Sequence, residues 1–347
     1  MGQERRHLLE ITPDELASWV ERHGEPSYRL GQIMEWAYAR RVVSFDEMTN
    51  LPASLRTSLA ETFTLAGLRE VERACSEDGA TGKLLLELHD GEQIECVWMD
   101  DDGRHTFCIS SQAGCALGCQ FCATGAAGFG RNLTLSEILG QVTALARKCG
   151  EPHNIVFMGM GEPLLNLDAV LPALESLTAP DRFGLSPRRI TVSTAGVTPG
   201  IRQLAAAPVH PNLAFSLNSA FDGRRTALMP VNARYPFADV LDACDEYGRT
   251  TGRSVTLEYV LLGGVNTSEK DARAVARIAH RLHALVNLIS FNTVHGCGLH
   301  PPGPEEAELF RCGLEQRQVH VTQRYRRGRD IAAACGQLRG KHPGKEK

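Results

Sequence analysis

Four of the eleven cysteines fall within fifteen residues, and three of these form Cys115-Ala-Leu-Gly-Cys119-Gln-Phe-Cys122. Thiolates are soft donors suited to iron and zinc. Three on one short loop can each hold one iron of a four-iron cluster, which ordinarily takes four cysteines. One iron is then open to a small molecule, much as a catalytic zinc keeps an open position. Structural zinc is the competing assignment. It asks for paired CxxC knuckles, and the CxxxCxxC spacing is followed by no second knuckle.

The remaining cysteines are Cys75, Cys96, Cys108, Cys149, Cys244, Cys297, Cys312 and Cys335. An odd total spread over 347 residues is no disulfide framework. Taken singly, such residues are read as small buried apolar groups. The N-terminal stretch MGQERRHLLEITPDELASW has no apolar signal core, and no run is long enough to span a bilayer. A cytoplasmic protein with no membrane partner is therefore expected. The net charge of −4 gives no general sign of nucleic-acid binding. From Arg311 to Lys347, however, ten Lys/Arg oppose three acids, a local +7 suited to phosphates or to a solvated tail.

Residues 1–70 read as a helical domain. Thr12-Pro13-Asp14-Glu15 combines an N-cap, a first-turn proline and the acid of a capping box. Helices are predicted over 13–24, Leu30–Arg40 and Pro52–Phe63. A β extension, 71–106, holds Lys83–His89 and Gln93–Met99 around an Asp90-Gly91 turn. The core, 107–300, alternates apolar strands at Ile155–Met158, Arg189–Ser193, Asn212–Ser216, Val255–Leu261 and Val286–Phe291 with helices including Leu135–Lys148, Leu167–Leu177, Phe237–Tyr247 and Glu269–Leu285. That alternation predicts an α/β fold, a parallel sheet or barrel with helices outside, whose sites lie at the carboxyl ends of the strands. A C-terminal segment, 301–347, completes the chain.

The CxxxCxxC spacing resembles the signature of the radical S-adenosylmethionine (SAM) superfamily. The resemblance implies a partial (β/α) barrel of radical SAM type and one [4Fe-4S] cluster on Cys115, Cys119 and Cys122. SAM would bind the open iron and be cleaved to a 5′-deoxyadenosyl radical. Gly161-Glu162-Pro163 resembles the superfamily's contact with the SAM amino group. Further stretches resemble one subgroup, the RlmN/Cfr family of RNA adenine methyltransferases: Cys108-Ile-Ser-Ser-Gln-Ala-Gly-Cys115, Phe129-Gly-Arg-Asn-Leu133, Met158-Gly-Met-Gly-Glu-Pro-Leu-Leu-Asn166, Ser193-Thr-Ala-Gly-Val197 and Asp330-Ile-Ala-Ala-Ala-Cys335-Gly-Gln-Leu338. The match runs from about residue 12 to residue 339.

The resemblance also implies a route. An adenine ring carbon is not nucleophilic, so direct attack on the SAM methyl group is closed. Cys335 matches the cysteine that is methylated first and carries the carbon to the ring. Glu95 matches the acceptor of the ring proton. Cys108 matches the cysteine that attacks the first sulfur and releases the product, leaving a disulfide for later reduction. Ser193, Ser216, Leu217, Asn218 and Asn292 match further SAM contacts. Position 218 holds Asn where the family usually has His, and Ile289-Ser-Phe-Asn292-Thr293 replaces a common Ile-Pro-aromatic-Asn-Pro.

Implied partners are RNA, namely 23S rRNA and also tRNA, and a reducing donor such as flavodoxin or ferredoxin. Carbon 2 is the expected methylation site, with carbon 8 as the alternative. Arg131, Arg324, Arg326, Arg327 and Arg329 are candidate phosphate contacts, whereas Trp19, Trp36 and Tyr38 read as core. Two other readings compete: a radical SAM enzyme with another substrate, and a zinc-stabilised RNA-binding module. Only a methyl-cysteine route needs both Cys108 and Cys335.

Overall fold

The computed structural model describes residues 5–294, 297–324, 328 and 331–338. The N-terminal part packs helices α1 (Pro13–Arg22), α2 (Tyr28–Met34) and α3 (Ala53–Thr62). The capping box forms at α1: the Glu15 amide donates to Thr12 Oγ1 at 3.2 Å, and the Thr12 amide donates to Glu15 Oε2 at 2.9 Å. The helix expected over 30–40 is instead α2 followed by π-helical turns at Glu35–Ala39. Those turns still point Trp36 and Tyr38 into the core beside Trp19, each under 10% exposed.

The rest of the chain is organised by one ten-stranded sheet. Its strands are β1 (Arg69–Cys75), β2 (Thr81–Glu87), β3 (Gln93–Asp101), β4 (Arg104–Cys108), β5 (Asn154–Phe157), β6 (Ile190–Thr194), β7 (Asn212–Ser216), β8 (Val255–Leu261), β9 (Leu285–Ser290) and β10 (Val321–Arg324). They lie side by side in sequence order. The pairs from β1 to β4 are antiparallel, and those from β4 to β10 are parallel. The β extension thus continues the same sheet. The Asp90-Gly91 turn joins β2 to β3, with Gly91 at φ 85°. Gly82 pairs with Trp98 across these strands, and a Cβ there would lie 1.9 Å from the indole ring, so the missing side chain is the space the ring fills.

Parallel connections need crossovers, and helices α4 (Leu135–Cys149), α5 (Leu167–Thr178), α6 (Thr198–Ala206), α7 (Phe237–Thr251) and α8 (Glu269–Arg281) supply most of them. The helix expected over 269–285 ends at Arg281. His283 then takes a left-handed φ of 48°, and Leu285 already belongs to β9. A last helix, α9 (Pro304–Glu315), precedes β10.

Adjacent strands lie about 4.8 Å apart, so eight steps of flat sheet would separate β2 from β10 by about 38 Å. Yet Thr81 of β2 and Gln323 of β10 line one cavity of about 500 Å³, together with residues of the intervening strands. The sheet therefore curls around that cavity as a partial barrel. The C-terminal segment spans the remaining gap. A Cβ on Gly328 would lie 2.8 Å from the Thr81 side chain, and Lys83 Nζ of β2 donates to the Ala332 carbonyl at 3.3 Å. Among the described residues, no helix is long and apolar enough to cross a membrane.

Candidate active site

The cysteine loop leaves the carboxyl end of β4 and is held at several points. A two-stranded ribbon, Gln112–Gly114 with Phe129–Asn132, closes its base. The Cys115 amide donates to the Gly128 carbonyl at 2.8 Å, and the Cys122 amide to the Cys119 carbonyl at 3.2 Å. The Gln120 amide donates to the Leu228 carbonyl at 3.0 Å, and the Ala123 amide to Gly336 at 2.7 Å. Cys115, Cys119 and Cys122 all line a second cavity of about 170 Å³. Burial pushes the Cys115 thiol up to about 12 and Cys119 further still. A metal held by these thiols would displace their protons.

The strand ends supply the opposite wall. Gly161, Glu162, Ser193, Ser216, Asn218 and Asn292 line the same cavity. Gly161 takes φ 97° and packs so closely on Gln112 that a Cβ would lie 2.8 Å from its amide nitrogen. Glu162 is 3% exposed, and its carboxylate accepts from the amides of Ala195 at 2.7 Å and Leu164 at 3.2 Å. Burial outweighs these bonds and pushes Glu162 up to about 7. An ammonium group from outside would favour its ionised form.

Asn218 is buried at φ 52°, a left-handed conformation that asparagine tolerates better than most residues. Its Oδ1 accepts from the Val260 amide at 2.9 Å, and its Nδ2 lies 3.3 Å from Met229 Sδ. Leu217 does not line the cavity. Its side chain is core, and its backbone bonds Glu258 and Arg225. Asn292 donates from Nδ2 to the Cys335 carbonyl at 3.3 Å, while its buried Oδ1 has no partner. An orphaned buried acceptor on the wall of a cavity calls for an external donor.

Three thiols, a buried carboxylate facing inward and an orphaned acceptor fit a cluster with a bound amino acid group. Among the described residues, no three Cys, His, Asp or Glu side chains converge as donors to a single ion. Three irons of one cluster need no such convergence.

Cys335 joins the two cavities. It lines the cluster cavity and also the cavity of about 500 Å³, whose wall includes Cys108. Cys335 is exposed and Cys108 buried, and no disulfide links the described cysteines. Met158, Ile289, Ser290 and Asn292 border both spaces. Glu95 is not on the lining of either. It sits on β3 two residues before the cavity-lining Val97, hence on the same face of the strand. There it is 7% exposed and paired with Lys83, Nζ to Oε1 2.7 Å.

Several residues of this region have no counterpart in the sequence reading. Glu258, from the middle of the apolar strand β8, lines the cluster cavity and accepts from Asn287 Nδ2 at 2.7 Å. A carboxylate inside a continuous apolar run was the available signal. Lys83 and Arg225 gave none, since both lie among residues of ordinary polarity. Arg131 is committed within the chain: its guanidinium grips Glu137 through two bonds of 2.7 Å and also pairs with Asp90. The side chain of Arg324, and all of Arg326, Arg327 and Arg329, lie outside the described residues.

Comparison with known proteins agrees with this geometry. The Radical SAM superfamily model matches residues 109–275, and the model of the ribosomal RNA large subunit methyltransferase N-terminal domain matches residues 6–65. A probable dual-specificity RNA methyltransferase RlmN from Rhodopirellula baltica is 44% identical over 341 residues, covering 97% of this chain and 92% of the relative. The dual-specificity RNA methyltransferase RlmN of Geobacter sulfurreducens is 44% identical over 331 residues, covering 95% of this chain and 91% of the relative. A crystal structure of a radical SAM methyltransferase from Sphaerobacter thermophilus superposes with a TM-score of 0.92 at 43% identity, covering 96% of this chain and 99% of that one. The chain belongs to the RlmN family of radical SAM methyltransferases, which work with a [4Fe-4S] cluster and SAM.

Proposed function

We propose that this protein methylates carbon 2 of an adenine in 23S rRNA and, as the dual specificity of its relatives' names suggests, also in tRNA. The observation that carries the reading is the place of Cys335, the one cysteine that borders both the cluster cavity and the cavity containing Cys108. Carbon 8 is the alternative ring position.

Cys115, Cys119 and Cys122 hold the cluster. Gly161, Glu162, Ser193, Ser216, Asn218 and Asn292 hold SAM, with Glu162 facing its ammonium group; Leu217 acts only through its backbone. When bound, these groups supply the methyl carbon and the radical that activates it. The thiolate of Cys335 takes that carbon and carries it to the adenine. Glu95 accepts the ring proton as the radical adduct gives up one electron, for which the bound cluster would be the acceptor. The Cys108 thiolate then attacks the Cys335 sulfur, the sulfur–carbon bond breaks with its electron pair on the carbon, that carbon takes up a proton to become the methyl group, and a Cys108–Cys335 disulfide remains for reduction by thiols. The target base leaves its stack to enter the larger cavity. Residues 1–70 and the basic C-terminal segment contact RNA away from the reacting base. The electron comes from a flavodoxin or ferredoxin type of donor, and the setting is cytoplasmic.

The test is anaerobic reconstitution followed by incubation with methyl-labelled SAM, a reductant and protein-free ribosomal RNA. Wild type runs beside Cys335→Ala and Cys108→Ala, and digested nucleosides are read by mass spectrometry. Labelled 2-methyladenosine from the wild type, absent with Cys335→Ala, is the expected result. With Cys108→Ala, a covalent protein–RNA adduct accumulates. Methylation that survives in Cys335→Ala would overturn the route.

A further inference from the structure

Beside the cluster cavity the protein buries a guanidinium to which no acid hydrogen-bonds among the described residues. Arg225 lies on the helix Asp222–Leu228 and is 1% exposed. Its Nη1 donates to the carbonyls of Ser216 at 2.9 Å and Leu217 at 2.8 Å, and lies 3.0 Å from Met229 Sδ. Its Nη2 donates to the Ala195 carbonyl. Its Nε is buried without a partner. Every hydrogen-bond partner found among the described residues is thus neutral. Burial pushes the guanidinium down to about 10, so it stays charged at neutral pH.

A charge taken out of water without a counter-charge costs several kcal/mol. Carbonyl dipoles repay part of that cost. The surroundings point to where the rest comes from. The helix that carries Arg225 is tied to the cysteine loop by the bond from the Gln120 amide to the Leu228 carbonyl. Met229, in contact with the guanidinium, lines the cavity bounded by Cys115, Cys119 and Cys122.

We propose that Arg225 is the built-in counter-charge of the iron–sulfur cluster and raises its reduction potential, while its fork ties the ends of β6 and β7 together. A four-iron core with three thiolates is anionic, and one-electron reduction adds a further negative charge. A fixed cation behind the cysteine loop, shielded from water, stabilises the reduced form more than the oxidised form. The inference rests on the three-cysteine cluster reading.

Reconstituted proteins are titrated anaerobically without SAM, the reduced cluster being followed by electron paramagnetic resonance and iron and zinc being measured in each sample. Arg225→Met is expected to lower the reduced-to-oxidised ratio at fixed potential about tenfold, equivalent to 59 mV for one electron. Arg225→Lys, which keeps the charge, leaves the ratio near that of wild type. A second variant, Arg225→Gln, removes the charge but keeps a hydrogen-bonding end, and lowers the ratio in the same direction. An unchanged ratio in iron-replete Arg225→Met overturns the proposal, as does a fall of equal size in Arg225→Lys, because the fork rather than the charge would then matter. Should Arg225→Met take up no iron, Arg225→Gln decides, and an unchanged ratio there is equally fatal. Wild type that takes up zinc in place of iron would instead sink the cluster reading itself.

Discussion

Glu162→Gln separates what Glu162 does as a carboxylate from what it does as a hydrogen-bond acceptor. The wild-type carboxyl ionises near 4.5 in the unfolded chain and near 7 in the folded, cofactor-free protein. Between those values the unfolded state has lost a proton that the folded state keeps. Stability of the wild type therefore falls as pH rises through this window, and the fall is complete above about pH 7. Linkage puts the loss between about pH 5 and about pH 8 at about 2.5 kcal/mol. Water entering the cavity eases the ionised form, so this is a ceiling. Glutamine escapes the titration. It loses one acceptor, however, because the two carboxylate oxygens serve different amides, Ala195 and Leu164. That loss costs about 1–3 kcal/mol at any pH. The variant should thus be less stable than wild type near pH 5 and equal or better near pH 8. Urea unfolding of the metal-free proteins at both pH values gives the comparison. A difference between variant and wild type that stays constant with pH would refute the argument, because only ionisation of Glu162 makes it change.

Lys83→Met removes one ammonium from the buried Glu95 carboxylate and should cost about 1–3 kcal/mol, read as a lowered urea midpoint. A loss under about 1 kcal/mol would show that the pair is solvated in solution. Gly82→Ala should destabilise by about 1–3 kcal/mol, since the new methyl group lands in the Trp98 ring. Gly31→Ala, on α2 with nothing within 4 Å of its Cβ, should instead gain about 0.5–1 kcal/mol. Equal effects at the two glycines would rule out the cross-strand ring as the cause.

The parallel strands β5 to β9 were legible because they read as short apolar runs, whereas β4 and β10, which carry polar and charged residues, were not. The start of α1 was legible from Thr12 and Glu15, which fold back on the chain, and the structure shows the same box at the starts of α4 and α8. β1 was hidden for the opposite reason. Arg69–Cys75 is an edge strand, largely exposed and rich in charge, which protects the sheet margin and erases the alternation that would announce a strand. The cluster loop was legible from spacing alone, because its donors are local. What escaped was whatever depends on distant packing. Arg224 and Arg225 are adjacent and identical in type, yet Arg224 pairs with Asp271 while Arg225 is sealed behind the cluster cavity. Lys83 and Glu95 meet only because the hairpin register sets Lys83 against Val97 and Leu85 against Glu95.

Cys108 ends β4, and Cys335 follows β10, six strand steps away. On a flat sheet that is about 29 Å, too far for one sulfur to attack the other. Curling the sheet brings both cysteines to one cavity. Under the proposed reaction the two sulfurs have unequal tasks, and their settings differ accordingly. Cys108 has a single partner and sits at a buried strand end. Cys335 meets a methyl donor, a purine and a second sulfur in turn, which no position on a rigid strand allows. It is itself exposed, on a half-buried segment where Gly328, Ala332 and Gly336 take left-handed backbone angles. That segment is held by contacts from β2, from Asn292 and from the turn after the cluster loop. Cys335 borders both cavities from this one position, so under the proposed reaction its sulfur would meet each partner with the barrel intact.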